Sequence, residues 1–141
     1  MASRPRYYLV DGLRDAGFTI IPPGPISFTN QTSVLPVKAP NCIKIDLILV
    51  ALPLERTAID RAILVEFRHL DVHVCSAKNL IILKAVSTRA KDAEDIQGII
   101  ERMAGKLDRA YLLPILRDLA SMLERDDLLE LCRQLSGDPR S

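Results

Sequence analysis

Four charged side chains in this sequence have the residue types that a phosphate-binding or metal-binding site uses. Lys84 lies in an almost wholly apolar helical segment, and Asp92 and Asp95 follow at the head of the next helical segment. Asp46 interrupts an apolar strand-like run upstream. A lysine can meet a nucleotide phosphate, and carboxylate oxygens are ligands that magnesium prefers. These residues therefore define the first hypothesis, a site for phosphate and metal.

Each of these residues also has a structural interpretation. A lysine in an apolar helix is costly unless its ammonium is paired or reaches water, so an internal pair with Asp92 or Asp95 is favoured over contact with a phosphate. Asp92 can cap a helix, and Asp95 suits the positive end of the helix dipole. A carboxylate at Asp46, among apolar neighbours, needs a partner, a wet cleft or a metal. A strand aspartate at a sheet edge and a site position both remain open for it.

The elements that hold these residues are predicted from apolar periodicity. Leu9, Leu13 and Ala16 have helical spacing, and Gly17 ends this first helix. A brief strand follows, Phe18 to Ile21, and the prolines of "PPGP" must end it. For residues 26–40 the pattern predicts only a frayed strand or a hairpin.

The clearest strand, residues 42–50, reads "CIKIDLILV" and is apolar on both alternating faces, so it is predicted to be covered on both sides. A short helix from Pro53 precedes a hairpin over residues 63–75. From Ser76, a helix cap, the pattern is helical to the end, with Pro114 expected to kink one helix. The layout predicts an α+β fold, a small mixed sheet of about three to five strands followed by a helical half.

Length and composition limit the function classes. With 141 residues the chain fits one domain, with a sheet-containing part (1–75), a helical part (76–136) and a tail (137–141). A net charge of +1 argues against nucleic-acid binding. No apolar run is long enough to span a bilayer, and no secretion signal is visible. Widely spaced Cys42, Cys75 and Cys132 predict buried thiols in a reducing cytoplasm, and His69 with His73 lacks a third metal ligand nearby.

The segment "VCSAKNLIILKAVSTRAKDAEDIQGII" resembles the polymerase-beta-like nucleotidyltransferases, in the minimal bacterial branch that includes toxin-type transferases of abortive-infection systems. That family has a serine-capped "S-x-x-D/E-L-I-x-x-K" helix followed by "R-x-K-D-x-x-D". The resemblance assigns nucleotide contacts to Lys84, Arg89, Lys91, Asp92 and Asp95. The family's "h-D-h" strand is similar to residues 45–47, which implies a third catalytic carboxylate at position 46.

One departure from the family limits what the resemblance implies. The family's Gly-Gly or Gly-Ser helix start and its "D-x-D" strand have no counterpart here, and the chain begins too late to contain them. Nucleotidyl transfer needs magnesium ions that bridge the triphosphate, and the "D-x-D" pair holds them in the family. Asp46 alone cannot hold two metals. The resemblance therefore implies a truncated or degenerate nucleotidyltransferase that is inactive alone. Two alternatives stay open for it: the chain retains nucleotide binding by itself, or a partner completes a site for magnesium and a nucleoside triphosphate.

A chain that lacks the first strands of its sheet is expected to expose a sheet edge or an apolar face. This predicts a homodimer, a domain swap or a hetero-complex through the N-terminal sheet region. An alternative function belongs to another class: a non-enzymatic interaction module, such as a toxin–antitoxin component or an assembly adaptor.

Overall fold

The computed structural model describes residues 4–137. Within them the chain forms seven helices and two small antiparallel sheets. The predicted α+β class is confirmed, but the strands form two separate antiparallel sheets rather than one mixed sheet. Contacts divide the chain into two compact units, Met1–Leu52 and Pro53–Ser141. Whether the chain behaves as a single domain stays a prediction, and residues 138–141 of the predicted tail lie outside the described residues.

The described part of the first unit is a three-stranded sheet with two helices. Its elements are α1 (Arg4–Asp15), β1 (Thr19–Ile20), α2 (Pro25–Thr32), β2 (Val34–Lys38) and β3 (Lys44–Ile48), with sheet order β1-β2-β3. Gly17, at φ +84°, ends the first helix as predicted, since a left-handed residue there favours glycine. Residues 26–40, predicted as a frayed strand or hairpin, instead form most of α2 and all of β2. The proline at the first position of α2 supplies a helical φ and loses no helical hydrogen bond.

Among the described residues, the core of this unit lies on one face of the sheet. Val10, Leu35 and Val37 are buried there, and Leu47 of β3 packs against them. The rest of β3 is exposed, including Ile48. The prediction that this strand is covered on both faces is therefore wrong: the apolar run reaches the edge of the sheet, and only one face meets a core.

The described part of the second unit contains one hairpin and five helices. Its elements are α3 (Pro53–Asp60), β4 (Ile63–Phe67), β5 (Leu70–Val74), α4 (Ala77–Ala85), α5 (Ala90–Met103), α6 (Arg109–Leu123) and α7 (Asp126–Ser136). The core is helical, and its fully buried side chains include Ile81, Leu112, Leu116 and Leu135. The predicted hairpin is confirmed, and α6 continues through Pro114. No helix within residues 4–137 has both the length and the apolar character needed to cross a bilayer.

Candidate functional site

The connection between α4 and α5 brings most of the predicted site residues together. Ser76 caps α4, its hydroxyl accepting a hydrogen bond from the Asn79 N–H at 3.4 Å. The helix is buried on several sides, and Lys84 falls in its last turn. Since α5 begins at Ala90 and Asp92 is its third residue, both acids of α5 lie within reach of Lys84.

Lys84 is held by two carboxylates. Its Nζ donates to Asp92 Oδ1 at 3.0 Å and to Asp95 Oδ2 at 2.6 Å. The Asp92 side chain is only 5% exposed, and its second oxygen accepts from Arg89 Nε at 2.6 Å. The favoured sequence interpretation, an internal pair for Lys84, is confirmed. The prediction that Asp92 caps α5 is wrong: Arg89 is the N-cap residue, and the Asp92 carboxylate accepts from side chains instead.

These contacts stabilise the charged forms of Asp92 and Lys84. Three hydrogen bonds hold the pKa of Asp92 well below its usual range. The bond from Ser87 has the largest effect on this pKa, followed by those from Arg89 and Lys84. Hydrogen bonds to Asp95 and Asp92 raise the pKa of Lys84. The group formed by Lys84, Arg89, Asp92 and Asp95 is called the Lys84 corner below. Asp92 and Lys84 are therefore fixed charges, not groups poised to exchange a proton near neutral pH.

A magnesium ion does not fit the Lys84 corner. Both oxygens of Asp92 already accept hydrogen bonds from cations, and Asp95 accepts from Lys84. Within residues 4–137 there is no group of three or more His, Cys, Asp or Glu side chains that could hold a metal ion.

Asp46, the predicted third carboxylate, belongs to the other compact unit. It lies on β3 directly across from Pro36, and its side chain is exposed. Ile45 and Leu47 point to the opposite face of the strand, because side chains alternate along it. An exposed carboxylate is solvated, so the need for a partner or metal that the apolar sequence suggested does not arise.

The cysteines and histidines are also placed. Cys132 is buried as predicted, Cys75 is half-buried, and Cys42 is exposed, which corrects the prediction of three buried thiols. Burial raises the pKa of the Cys132 thiol, which disfavours the reactive thiolate. His69 is in the hairpin turn, and its Nδ1 lies 3.7 Å from Glu66 Oε1.

A second polar cluster, which the sequence did not predict, joins α4 to α6. The Tyr111 hydroxyl donates to Asn79 Oδ1 at 3.0 Å. Lys78 Nζ lies 2.8 Å from Asp108 Oδ2 and forms an ion pair with it. Both Lys78 Nζ, at 4.5 Å, and Arg61 Cζ, at 4.8 Å, lie over the centre of the Tyr111 ring. Lys78 and Asp108 neutralise each other, and the hydrogen bond from Tyr111 to Asn79 attaches α6 to α4.

One exposed apolar surface of the second unit, a face of the β4–β5 hairpin, was not predicted from the sequence. Residues directly opposite each other in an antiparallel pair share a face. The cross-strand pairs therefore place one set together: Ile63, Val65, Phe67, Leu70, Val72 and Val74. This set is called the apolar hairpin face below. The other face carries Leu64, Glu66, Asp71 and His73.

The apolar hairpin face is open to solvent. Phe67 is 61% exposed, Leu70 66% and Val65 39%. The strands contact each other extensively, and neither has comparable contact with a helix. The sequence did hold the signal, because Ile63, Val65 and Phe67 alternate with other residues. The sequence prediction covered the strands of the hairpin and not which element packs on them.

No protein family described by a sequence model matches this chain, and no curated protein is significantly similar to it in sequence.

Proposed function

We propose that this chain is a protein-interaction module whose contact surface is the apolar hairpin face. The observation that supports the proposal is the exposure of large apolar side chains, Phe67 and Leu70 above all, on one face of a two-stranded sheet. A two-stranded hairpin is marginally stable by itself and needs packing against another element. Contiguous exposed apolar patches on soluble proteins mark interaction surfaces far more often than scattered exposed residues do.

Size agrees with this proposal. At the exposed fractions found here, the apolar hairpin face presents on the order of 400–500 Å² of apolar surface. That lies within the roughly 300–600 Å² of the largest apolar patch on a typical monomer, which is often functional. The Lys84 corner favours this proposal over a phosphate site, because its lysine and buried carboxylate already bind each other.

Photo-crosslinking inside cells of the organism that the chain comes from tests the proposal. A photoreactive residue replaces Phe67 in the full chain, and the control carries it at Met122, an equally apolar and highly exposed position (78%) on α6. We expect a defined adduct from position 67 that is absent from position 122. Equal adduct patterns from the two positions, or none from position 67, would overturn the proposal.

A second candidate is nucleotide binding by a remnant nucleotidyltransferase scaffold. Exposed Arg89 and Lys91 beside the start of α5 favour it, since both cations can reach a phosphate. A nucleoside triphosphate, with and without magnesium, should then raise the melting temperature of the chain, and Arg89→Ala combined with Lys91→Ala should remove the rise. No shift with the unaltered chain would eliminate this candidate.

A further inference from the structure

We infer that the free edge of β5 pairs with β5 of a second copy of this chain, which joins two hairpins into one four-stranded antiparallel sheet. The inference rests on the proposed function, since it says how the apolar hairpin face becomes large enough to bind a partner. Within residues 4–137, the sheet that contains β5 has only β4 beside it, so the other edge of β5 pairs with no described strand.

The turn determines which backbone groups lie on that edge. Arg68 and His69 form a two-residue loop and both have positive φ, +48° and +66°, which is the type I′ turn of tight hairpins. In such a hairpin the residues that flank the loop, Phe67 and Leu70, exchange both backbone hydrogen bonds. Bonding then alternates along the ladder. The N–H and C=O groups of Asp71 and His73 therefore point outward, along the free edge of β5.

These outward groups are complementary to those of an identical strand. In an antiparallel pair centred on Val72, Asp71 of one copy faces His73 of the other, and the reverse pair forms by symmetry. Each facing pair exchanges both backbone hydrogen bonds. The side chains match as well, because the imidazole N–H of His73 can donate to the Asp71 carboxylate.

The edge of β4 does not have this complementarity. An identical pairing of β4 centred on Val65 places Leu64 opposite Glu66, an apolar side chain against a carboxylate. Within the hairpin, Asp71 already lies directly across from Glu66, and like charges in that position repel each other. A histidine from a second copy on the other side of Asp71 offsets that repulsion. The side chains along the edge thus favour pairing through β5.

The pairing also doubles the apolar area that is available for a partner. One hairpin presents about half of the roughly 800 Å² that each partner contributes to a standard interface. A two-fold axis perpendicular to the sheet keeps both apolar faces on the same side, and Leu70 of one copy then neighbours Val74 of the other. The paired hairpins form a continuous apolar surface of about standard size.

Sedimentation velocity on the full chain tests the inference. We expect a dimer at tens of micromolar, and His73→Pro should raise its dissociation constant about tenfold or more, because proline removes one outward donor without breaking the ladder within the hairpin. Leu64→Pro is the matched control: it removes an outward donor from the β4 edge, directly across from His73, and should leave the dimer intact. A monomer at about 100 micromolar, or equal effects of the two prolines, would overturn the inference.

A second set of variants leaves the backbone unchanged. His73→Asp places carboxylates opposite each other at the edge and should weaken the dimer, whereas the double change Asp71→His with His73→Asp restores complementary pairs and should recover it. Failure of the double change to recover the dimer would contradict the proposed register. If the chain is monomeric but position 67 still crosslinks to another protein, the inference fails alone. If position 67 gives no adduct, the proposed function fails.

Discussion

Replacement of Lys84 by methionine tests whether the Lys84 corner is an internal ion cluster. The change keeps the length of the apolar stem and removes the ammonium, which in the unaltered chain binds Asp92 and Asp95. We expect a loss of stability, because an oxygen of the buried Asp92 carboxylate loses its charged donor while Arg89 still serves the other oxygen.

The magnitude follows from the exposure of the groups. A hydrogen bond to a charged group contributes about 1.5–3 kcal/mol net. Water replaces much of the contact at half-buried Asp95, and the Lys84 side chain is itself 22% exposed, so the two bonds do not add in full. We expect Lys84→Met to lower the free energy of unfolding by about 2 kcal/mol, which corresponds to a melting temperature lower by roughly 6–10 °C for a chain of this size.

Thermal unfolding followed by circular dichroism measures this effect. Lys91→Met is the matched control, because Lys91 is exposed in the same segment and should change the free energy by no more than about 0.5 kcal/mol. Equal melting temperatures for the two variants would refute the internal cluster. A higher melting temperature for Lys84→Met would show that burial of this lysine is a net cost to the fold.

Three further predictions concern the second unit. Leu116→Ala, at a fully buried position, should lower the free energy of unfolding in urea by about 3 kcal/mol, whereas Leu123→Ala, at an exposed position of the same helix, should change it by less than about 1 kcal/mol. The lowered pKa of Asp92 stabilises the fold above the unfolded-state pKa, and this contribution is lost as pH falls toward the folded value, so stability should drop between about pH 5 and pH 2. Ser87→Ala, which removes the largest cause of that shift, should reduce the drop in acid titrations of unfolding. Ser76→Ala should lower the melting temperature by the equivalent of about 1 kcal/mol through loss of the α4 cap, and an unchanged value would contradict the cap.

Much of the fold follows from local signals in the sequence. Gly17 and Ser76 predict the end of α1 and the start of α4, because each supplies a backbone conformation or a hydrogen bond that the helix terminus needs. The hairpin was predicted from alternation alone, but its turn was placed at residues 68–71, whereas the loop is only Arg68 and His69 and β5 begins at Leu70. The pair between Lys84 and the α5 acids was predicted from the cost of burying an ammonium.

The errors arise where tertiary contacts decide. The apolar run of β3 suggested burial on both faces, but periodicity reports which side chains are apolar and not which element covers them. Asp92 has the residue type of a helix cap, yet its carboxylate accepts hydrogen bonds from the Lys84 and Arg89 side chains and not from the backbone N–H groups at the start of α5. The apolar hairpin face was missed for the same reason as β3. Its exposure depends on which elements surround it in space.

Thiol labelling in intact host cells tests most directly the central claim, that the apolar hairpin face is the functional surface. Single cysteines replace Leu64, Val65, Glu66 and Phe67 in a full chain whose exposed Cys42 and half-buried Cys75 are changed to serine. Labelling at each position is compared with that of the same purified variant at a concentration where it is monomeric. We expect protection in cells at positions 65 and 67, on the apolar hairpin face, and unchanged labelling at positions 64 and 66. Labelling in cells that equals that of the purified monomer at positions 65 and 67 would contradict it.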